Sequence, residues 1–294
     1  MKKTFILSLM AVSTFAANAD LVAQWDFEGN VNEKSGIATS VQQGTPSYVD
    51  SLTANTVLPG GQVATSASLG LGIVLSQTNK DDNSTATWLS LGSTVYKETI
   101  VPSKDFTLSA YINFIDFTGN DVIAILGTGN KTGTGMAFGI RREDKGSYSI
   151  TLTTKNKAHN TTGALTALTA ETWHHVAVSY TTTGTQEAPN QGKATFYLDG
   201  VQVATEVVVW DWNAVTGGVG SAIGALGQEE TYGYAGSMTL DHVQVFDAAL
   251  SQADILSNAG LVAYTPPTPA IPEPATATLS LLALAALAAR RRRK

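Results

Sequence analysis

The chain has 294 residues, 18 basic and 24 acidic side chains and no cysteine. That length supports a sizeable hydrophobic core without disulfides. Setting aside the two ends, which hold seven basic and one acidic residue, leaves 11 basic and 23 acidic residues and a net charge of −12. That balance argues against nucleic acid or anionic lipid as the main partner.

The first residues read as an export leader. Lys2 and Lys3 form a charged start and Phe5 to Phe15 a short apolar stretch. Ala17-Asn18-Ala19 supplies a small-residue cleavage site, placing the cut after Ala19. The signal peptide is thus expected over residues 1–19 and the folded domain over 20–264.

The domain reads as all-β. A first strand opens at Leu21 and ends at Glu28. Residues 36–100 are rich in Ser, Thr and Gly and predict irregular strands and long loops. Phe106, Leu108, Ala110, Ile112 and Phe114 alternate along a half-buried strand. Val201, Val203, Thr205, Val207 and Val209 repeat the alternation. Asp199-Gly200, between Phe196-Tyr197-Leu198 and Val201-Gln202-Val203, is a hairpin signal. Helical periodicity is confined to Leu250–Ser257, where Ser251 and Asp254 have capping-box spacing.

Residues 265–274 hold five prolines and predict a stiff extended linker. Pro272-Glu273-Pro274 ends it. An apolar run from Ala275 to Ala289 follows, then Arg290 to Arg293 and Lys294. About 15 helical residues rise only ~22 Å, short of a ~30 Å hydrocarbon core. The run is therefore a weak anchor, with its basic end held in the cytoplasm. Triplet, apolar run and basic cluster in this order resemble the PEP-CTERM sorting signal, with residues 275–294 as its short transmembrane-type helix and tail. The resemblance implies export, transient anchoring at the inner membrane, and cleavage near Pro272-Glu273-Pro274 by an exosortase-type sorting protease.

Four strings carry a second resemblance: Leu21-Val22-Ala23-Gln24-Trp25-Asp26-Phe27-Glu28-Gly29; Phe106-Thr107-Leu108-Ser109-Ala110-Tyr111; Trp173-His174-His175-Val176-Ala177 with Phe196-Tyr197-Leu198-Asp199-Gly200; and Tyr234 to Phe246. In this order they resemble the LamG-like (concanavalin A-like) domain over about residues 21–258. The fold implied is a two-sheet antiparallel jelly-roll sandwich, often with a rim calcium and with carbohydrate or protein ligands. Where that family usually has Asp-Ser-Gly after the first strand, this chain has Glu33-Lys34-Ser35-Gly36.

Asp241 shares strand parity with Val243 and Val245 and is expected to face the core, where a carboxylate needs a partner. In the family the first and last strands are neighbours, which brings Glu28 near. Two carboxylates with loop carbonyls form a hard-oxygen set suited to a structural calcium; the alternative is that Asp241 accepts backbone N–H bonds. Of the four histidines, His159, His174, His175 and His242, the adjacent pair points to opposite faces and cannot share a metal. Trp210 with Trp212 and Tyr232 with Tyr234 share parity and offer ring faces to a sugar; the alternative is that these rings pack the core. The paired-carboxylate strand of glucanases on related folds does not occur, nor do Gly-x-Ser-x-Gly, His-Glu-x-x-His or a phosphate-binding loop. The expectation is an exported, non-enzymatic binding or adhesion protein for extracellular glycan or glycoprotein. A ligand-free matrix component, or a polysaccharide hydrolase or lyase with an unrecognised site, are the alternatives.

Overall fold

A computed structural model describes residues 19–34, 40–65, 70–76, 86–91, 99–101, 103–117, 122–129, 135–144, 146–155, 158–185, 190–210, 220–225 and 236–263. The leader up to residue 18, the proline-rich linker and the sorting signal with Pro272, Glu273 and Pro274 lie outside them. The chain divides into a unit ending at Ala263 and a second from Tyr264 to Lys294.

The strands in chain order are β1 (Leu21–Trp25), β2 (Val41–Gln43), β3 (Ser47–Asp50), β4 (Gln62–Ala64), β5 (Leu71–Leu75), β6 (Trp88–Ser90), β7 (Phe106–Asp116), β8 (Val122–Gly129) and β9 (Gly135–Asp144). There follow β10 (Ser147–Lys155), β11 (Ala158–Thr161), β12 (His174–Thr182), β13 (Gln191–Leu198), β14 (Val201–Val209), β15 (Gly220–Ile223), β16 (Ser237–Phe246), the helix α1 (Gln252–Asn258) and β17 (Leu261–Ala263). An eight-stranded antiparallel sheet runs β14-β13-β12-β7-β16-β5-β3, with β1 also on β16. A seven-stranded sheet runs β11-β10-β9-β8-β15-β6-β2, and β4 with β17 forms a two-stranded ribbon.

Apolar side chains of both large sheets meet in one core. Phe106, Leu108, Ala110, Ile112 and Phe114 all enter it, as their alternation predicts. Facing them are Ile123, Phe138, Ile140, Ile150 and Leu152 of the second sheet. On the outward face of the eight-stranded sheet, Tyr111 packs with Leu52, Leu58, Ala64, Ala259 and Leu261. The segments around β4, α1 and β17 therefore form a covering layer on that face.

Two strand expectations resolve differently. Asp199 and Gly200 have φ of +51° and +76° and join the Leu198↔Val201 partner pair. This is the two-residue turn with both central φ positive that favours Asp-Gly. Beyond it, β14 presents the opposite parity from the valine repeat: Val207 is 71% exposed and Val209 48%, while Val208 is buried. Val208 pairs with Gly192, a glycine where a Cβ would lie 2.1 Å from the Tyr180 ring. The tyrosine takes the space on the inner side; Val207 and Val209 of the repeat face out, whereas Val203 is half-buried against the core.

Candidate functional site

The last long strand changes partners halfway. Residues 238–240 of β16 pair with β5, and residues 243–246 pair with β1. Between them the register against β7 slips, Asp241 facing Tyr111 but Gln244 facing Ser109. His242 takes a φ of +48° there. Two residues thus oppose one, as in a β-bulge, and alternation is lost at that point. Val243 and Val245 enter the core, but Asp241 pairs with the outward-facing Tyr111. The expectation that Asp241 faces the core is corrected: the bulge turns it to the other face, beneath the covering layer.

There the Asp241 side chain is fully buried. Its Oδ1 accepts the backbone N–H of His242 at 2.7 Å, while Oδ2 has no hydrogen-bond partner. Burial pushes the carboxyl up to about 7; the Ser51 hydroxyl, the His242 N–H and the His242 ring pull the other way. The alternative reading, a carboxylate accepting a backbone N–H, describes one of its two oxygens.

Beside it is a charged cluster that sequence reasoning missed. Oδ1 of Asp26, just past β1, lies 3.1 Å from Nδ1 of His242. Nε2 of His242 lies 3.3 Å from the carbonyl of Asn258. Both neighbours are acceptors, so the ring sits between two groups that each take a donated N–H. Lys34 Nζ reaches Oδ2 of Asp26 at 2.8 Å, and Gln24 donates to Oδ1. Burial alone would raise the Asp26 pKa; the bonds from His242, Lys34 and Gln24 outweigh it and hold the carboxyl well below the usual range. The Glu33-Lys34 turn has a structural part here, since Glu33 Oε1 accepts the Gln24 N–H at 2.9 Å and the Lys34 N–H bonds Gln24 O at 2.8 Å.

Glu28 is exposed, with its carboxylate against Gly70, where a Cβ would lie 2.3 Å from the Glu28 oxygens. Among the described residues no three His, Asp or Glu side chains come together in a way that could hold a metal ion. A calcium held by Glu28 and Asp241 would need backbone carbonyls and water for the rest of its shell; Oδ2 of Asp241 is a buried oxygen without a hydrogen-bond partner.

Asp241 is the first of four buried ionisable groups in a row across β16, β7, β12 and the β13–β14 turn. Tyr111 pairs with His175, and their rings meet edge-on at 5.0 Å. The Tyr111 hydroxyl donates to Ala259 O at 2.8 Å. Burial, then the Asp199 and Asp241 charges, raise its pKa. Burial pushes His175 down to about 3, and neither of its ring nitrogens is hydrogen-bonded. Asp199 ends the row. Its carboxylate accepts from the His175 N–H at 2.9 Å, the Gly60 N–H at 3.0 Å and His174 Nδ1 at 3.2 Å. The Thr169 N–H donates to His174 Nε2 at 3.1 Å, which fixes His174 as the neutral Nδ1–H tautomer. Asp199 is therefore both turn residue and acceptor hub.

Trp210 is buried in the core and meets Phe106 and Tyr180 edge-on at 6.0 and 5.4 Å. It does not offer an exposed face to a sugar, and the core alternative holds for it. The end of β14 turns inward, with Thr154 of β10 donating to Val209 O at 2.9 Å and the Trp210 N–H bonding Asn190 O at 2.9 Å. Trp212, Tyr232 and Tyr234 lie outside the described residues.

Two antiparallel sheets around one core, with the first strand paired to the last long strand, define a lectin-like sandwich. Residues 82–256 match the laminin-G-type profile of the concanavalin A-like lectin/glucanases superfamily, and the chain belongs to that superfamily. Residues 270–294 match the PEP-CTERM protein-sorting motif, which marks an exported, envelope-targeted protein. No curated protein sequence matches the chain. Similar solved structures include a botulinum neurotoxin type C structure described as dependent on two ganglioside molecules for cell entry, at 12% identity and a TM-score of 0.50, covering 82% of this chain and 50% of that one. The binding domain of botulinum neurotoxin serotype C1 gives 12% and 0.50, covering 82% and 51%. Domain 4 of AbnA, an extracellular arabinanase from Geobacillus stearothermophilus, gives 14% and 0.49, covering 82% and 98%. The chain thus spans about half the length of the neurotoxin structures it resembles, and the likeness is one of fold.

Proposed function

We propose that the exported domain is a non-catalytic binding module for extracellular carbohydrate or glycoprotein. The observation that carries this reading is the lectin-type sandwich joined to an envelope-sorting motif. The chemistry of the described face supports it. Asp26 is held by Lys34, Gln24 and His242, Asp199 accepts three hydrogen bonds, and Asp241 is sealed under the covering layer. None of the three is an open carboxylate free to act on a glycosidic bond. A neurotoxin of this fold is described as interacting with gangliosides, so the sandwich is compatible with glycan recognition. Trp212, Tyr232 and Tyr234 are the remaining rings proposed to stack on sugar, and Glu28 with Asp241 the proposed calcium ligands. An exosortase is the proposed partner at Pro272-Glu273-Pro274, cutting while the apolar run holds the protein at the inner membrane.

A polysaccharide pull-down with a reducing-end assay on the same substrates tests the reading. Retention without new reducing ends is expected, weakened by the triple change Trp212→Ala, Tyr232→Ala and Tyr234→Ala. New reducing ends would overturn the non-catalytic reading. Absence of retention across a broad glycan panel would favour a matrix component without a small ligand.

A further inference from the structure

The backbone N–H of Asp20 donates to Oδ1 of Asp247 at 2.9 Å. The backbone N–H of Asp247 returns a bond to Asp20 O at 3.2 Å. Asp20 precedes β1 and Asp247 follows β16, so the two bonds extend the ladder one step beyond the Leu21↔Phe246 pair. The Ala17-Asn18-Ala19 motif places leader cleavage at the Ala19–Asp20 bond. The donor to Asp247 is thus the nitrogen of the peptide bond to be cut.

We propose that Asp247 is the receptor for the α-ammonium group that leader cleavage creates on Asp20. The inference rests on the Ala19 cleavage reading and is independent of glycan binding. Hydrolysis by a leader peptidase adds one water across the Ala19–Asp20 bond. The C–N bond breaks, the leader departs with a carboxylate on Ala19, and the Asp20 nitrogen, now –NH₃⁺, keeps its place beside Asp247. A neutral amide donor becomes a charge-assisted one without any movement of the chain. Ala19, which packs against the cluster of Ala177, Tyr197, Phe246, Leu250 and Ile255, is withdrawn at the same step.

The position gives the bond a purpose. β1 has five residues and pairs with β16, yet it carries Ala23 and Trp25 into the core. Its far end is held by the Asp26–His242–Lys34 cluster. The ammonium–Asp247 pair fastens its near end, and only in the processed protein. The charged groups facing the amine are the Asp20 and Asp247 carboxylates. In the apolar cluster packed with Ala19, Tyr197 is the titratable side chain, and burial raises its pKa. The amine should therefore titrate above the ordinary ~7.7–8.0 of a chain terminus. Because the folded pKa is raised, the added stability is present below the ordinary value and is lost as pH rises through the folded one.

The test uses the full chain exported and processed in a host with a leader peptidase, beside the uncleaved full chain made in the cytoplasm. N-terminal sequencing is followed by the pH dependence of α-amine acylation with acetic anhydride, read by mass spectrometry. The expected results are a terminus at Asp20 and an amine midpoint roughly one pH unit above the ordinary value. Asp247→Asn should return it to the ordinary value. The same variant should lower Tm by about 1–3 °C in the processed protein, and acetylating the wild-type amine should lower it similarly. In the uncleaved chain Asp247→Asn should have a smaller effect. A terminus elsewhere, an ordinary midpoint in the wild type, or an equal Tm effect in cleaved and uncleaved protein would each overturn the proposal.

Discussion

On the inner face of the eight-stranded sheet, Phe106, Leu108, Ile112, Phe196 and Val245 pack against a second apolar sheet. On the outer face of the same strands, Tyr111, His175, Asp199 and Asp241 are buried as deeply, under a short helix and a two-stranded ribbon. The inner face follows area: any side chain of suitable volume contributes ~25 cal/mol per Å² of apolar surface removed from water. The outer face follows partners, because each polar group there costs free energy unless a hydrogen bond replaces its water. His175 is the exception on the outer face, and its neighbour His174, which pairs with Ile112 on the opposite side of the strand, sets it off. His174 has both ring nitrogens bonded, whereas His175 is equally buried with neither bonded and stays neutral because its surroundings disfavour the charge.

The largest expected effect is on the inner face. Trp210→Ala removes a ring that packs on Phe106 and Tyr180 and should cost about 3–5 kcal/mol by denaturant unfolding. A loss below ~1 kcal/mol would mean that the end of β14 does not hold the core together. The outer face should answer on a similar scale through a different mechanism. Asp199→Ala strips the acceptor from the His175 and Gly60 N–H groups and from His174 Nδ1, and should cost roughly 2–4 kcal/mol. Asp199→Asn, which keeps one acceptor oxygen and tolerates the positive φ, should cost less. If both variants unfold at the wild-type denaturant midpoint, the outer face is held by packing alone and the contrast fails.

Asp241 sharpens the comparison through pH and metal. Its folded pKa of about 7 stands above the ordinary 3.8, so the folded state binds the proton more tightly than the unfolded chain. This contribution to stability is full below about pH 4, declines as pH rises through about 7 and is flat above. In chelator, Asp241→Asn should therefore match or exceed the wild type at pH 8, on the order of 1–3 kcal/mol, with the gap closing toward pH 5. Calcium reverses the order: if Asp241 and Glu28 hold the ion, millimolar calcium raises the wild-type Tm and leaves the variant unchanged. Identical wild-type melting in chelator and calcium would remove the metal. A variant less stable than the wild type at pH 8 in chelator would remove the buried-charge argument.

The two faces were unequally legible. Strict alternation from Phe106 to Phe114 identifies the inner face because residues two apart share one side of any regular strand. Asp199-Gly200 identifies its hairpin because few residue pairs tolerate two successive positive φ values. Parity misleads where something long-range resets it. The bulge at His242 turns Asp241 outward, and the Tyr180 ring over Gly192 decides which side of β14 is filled. The Asp26–His242 pair joins residues 216 apart in sequence. No local pattern announces it, although an aspartate following Trp25 at the end of the first strand and a histidine on the last strand were both visible. Trp210 looks like a ligand ring from spacing alone; only the inward turn at the end of β14 makes it core.

The smallest effect asks whether the outer face opens by itself. Ser251 caps α1: its side chain accepts from the Asp254 N–H at 3.3 Å, and the Ser251 N–H bonds Asp254 Oδ2 at 3.3 Å. The capping box expected from Ser251 and Asp254 is therefore formed. The helix has seven residues with Ile255 as its buried side chain, so tertiary docking and the cap, not intrinsic propensity, hold it in place. Ser251→Ala should cost about 1 kcal/mol. The loss should concentrate in the covering layer, because the inner core shares no group with the cap. Hydrogen exchange should quicken at the amides of Ile255, Ala259 and Gly260, which bond within the helix and its exit, while those of Val176 and Val178 in the centre of β12 stay protected. Equal acceleration at all five amides would mean that the two faces unfold as one cooperative unit, and that the outer face has no separate stability to set against the inner.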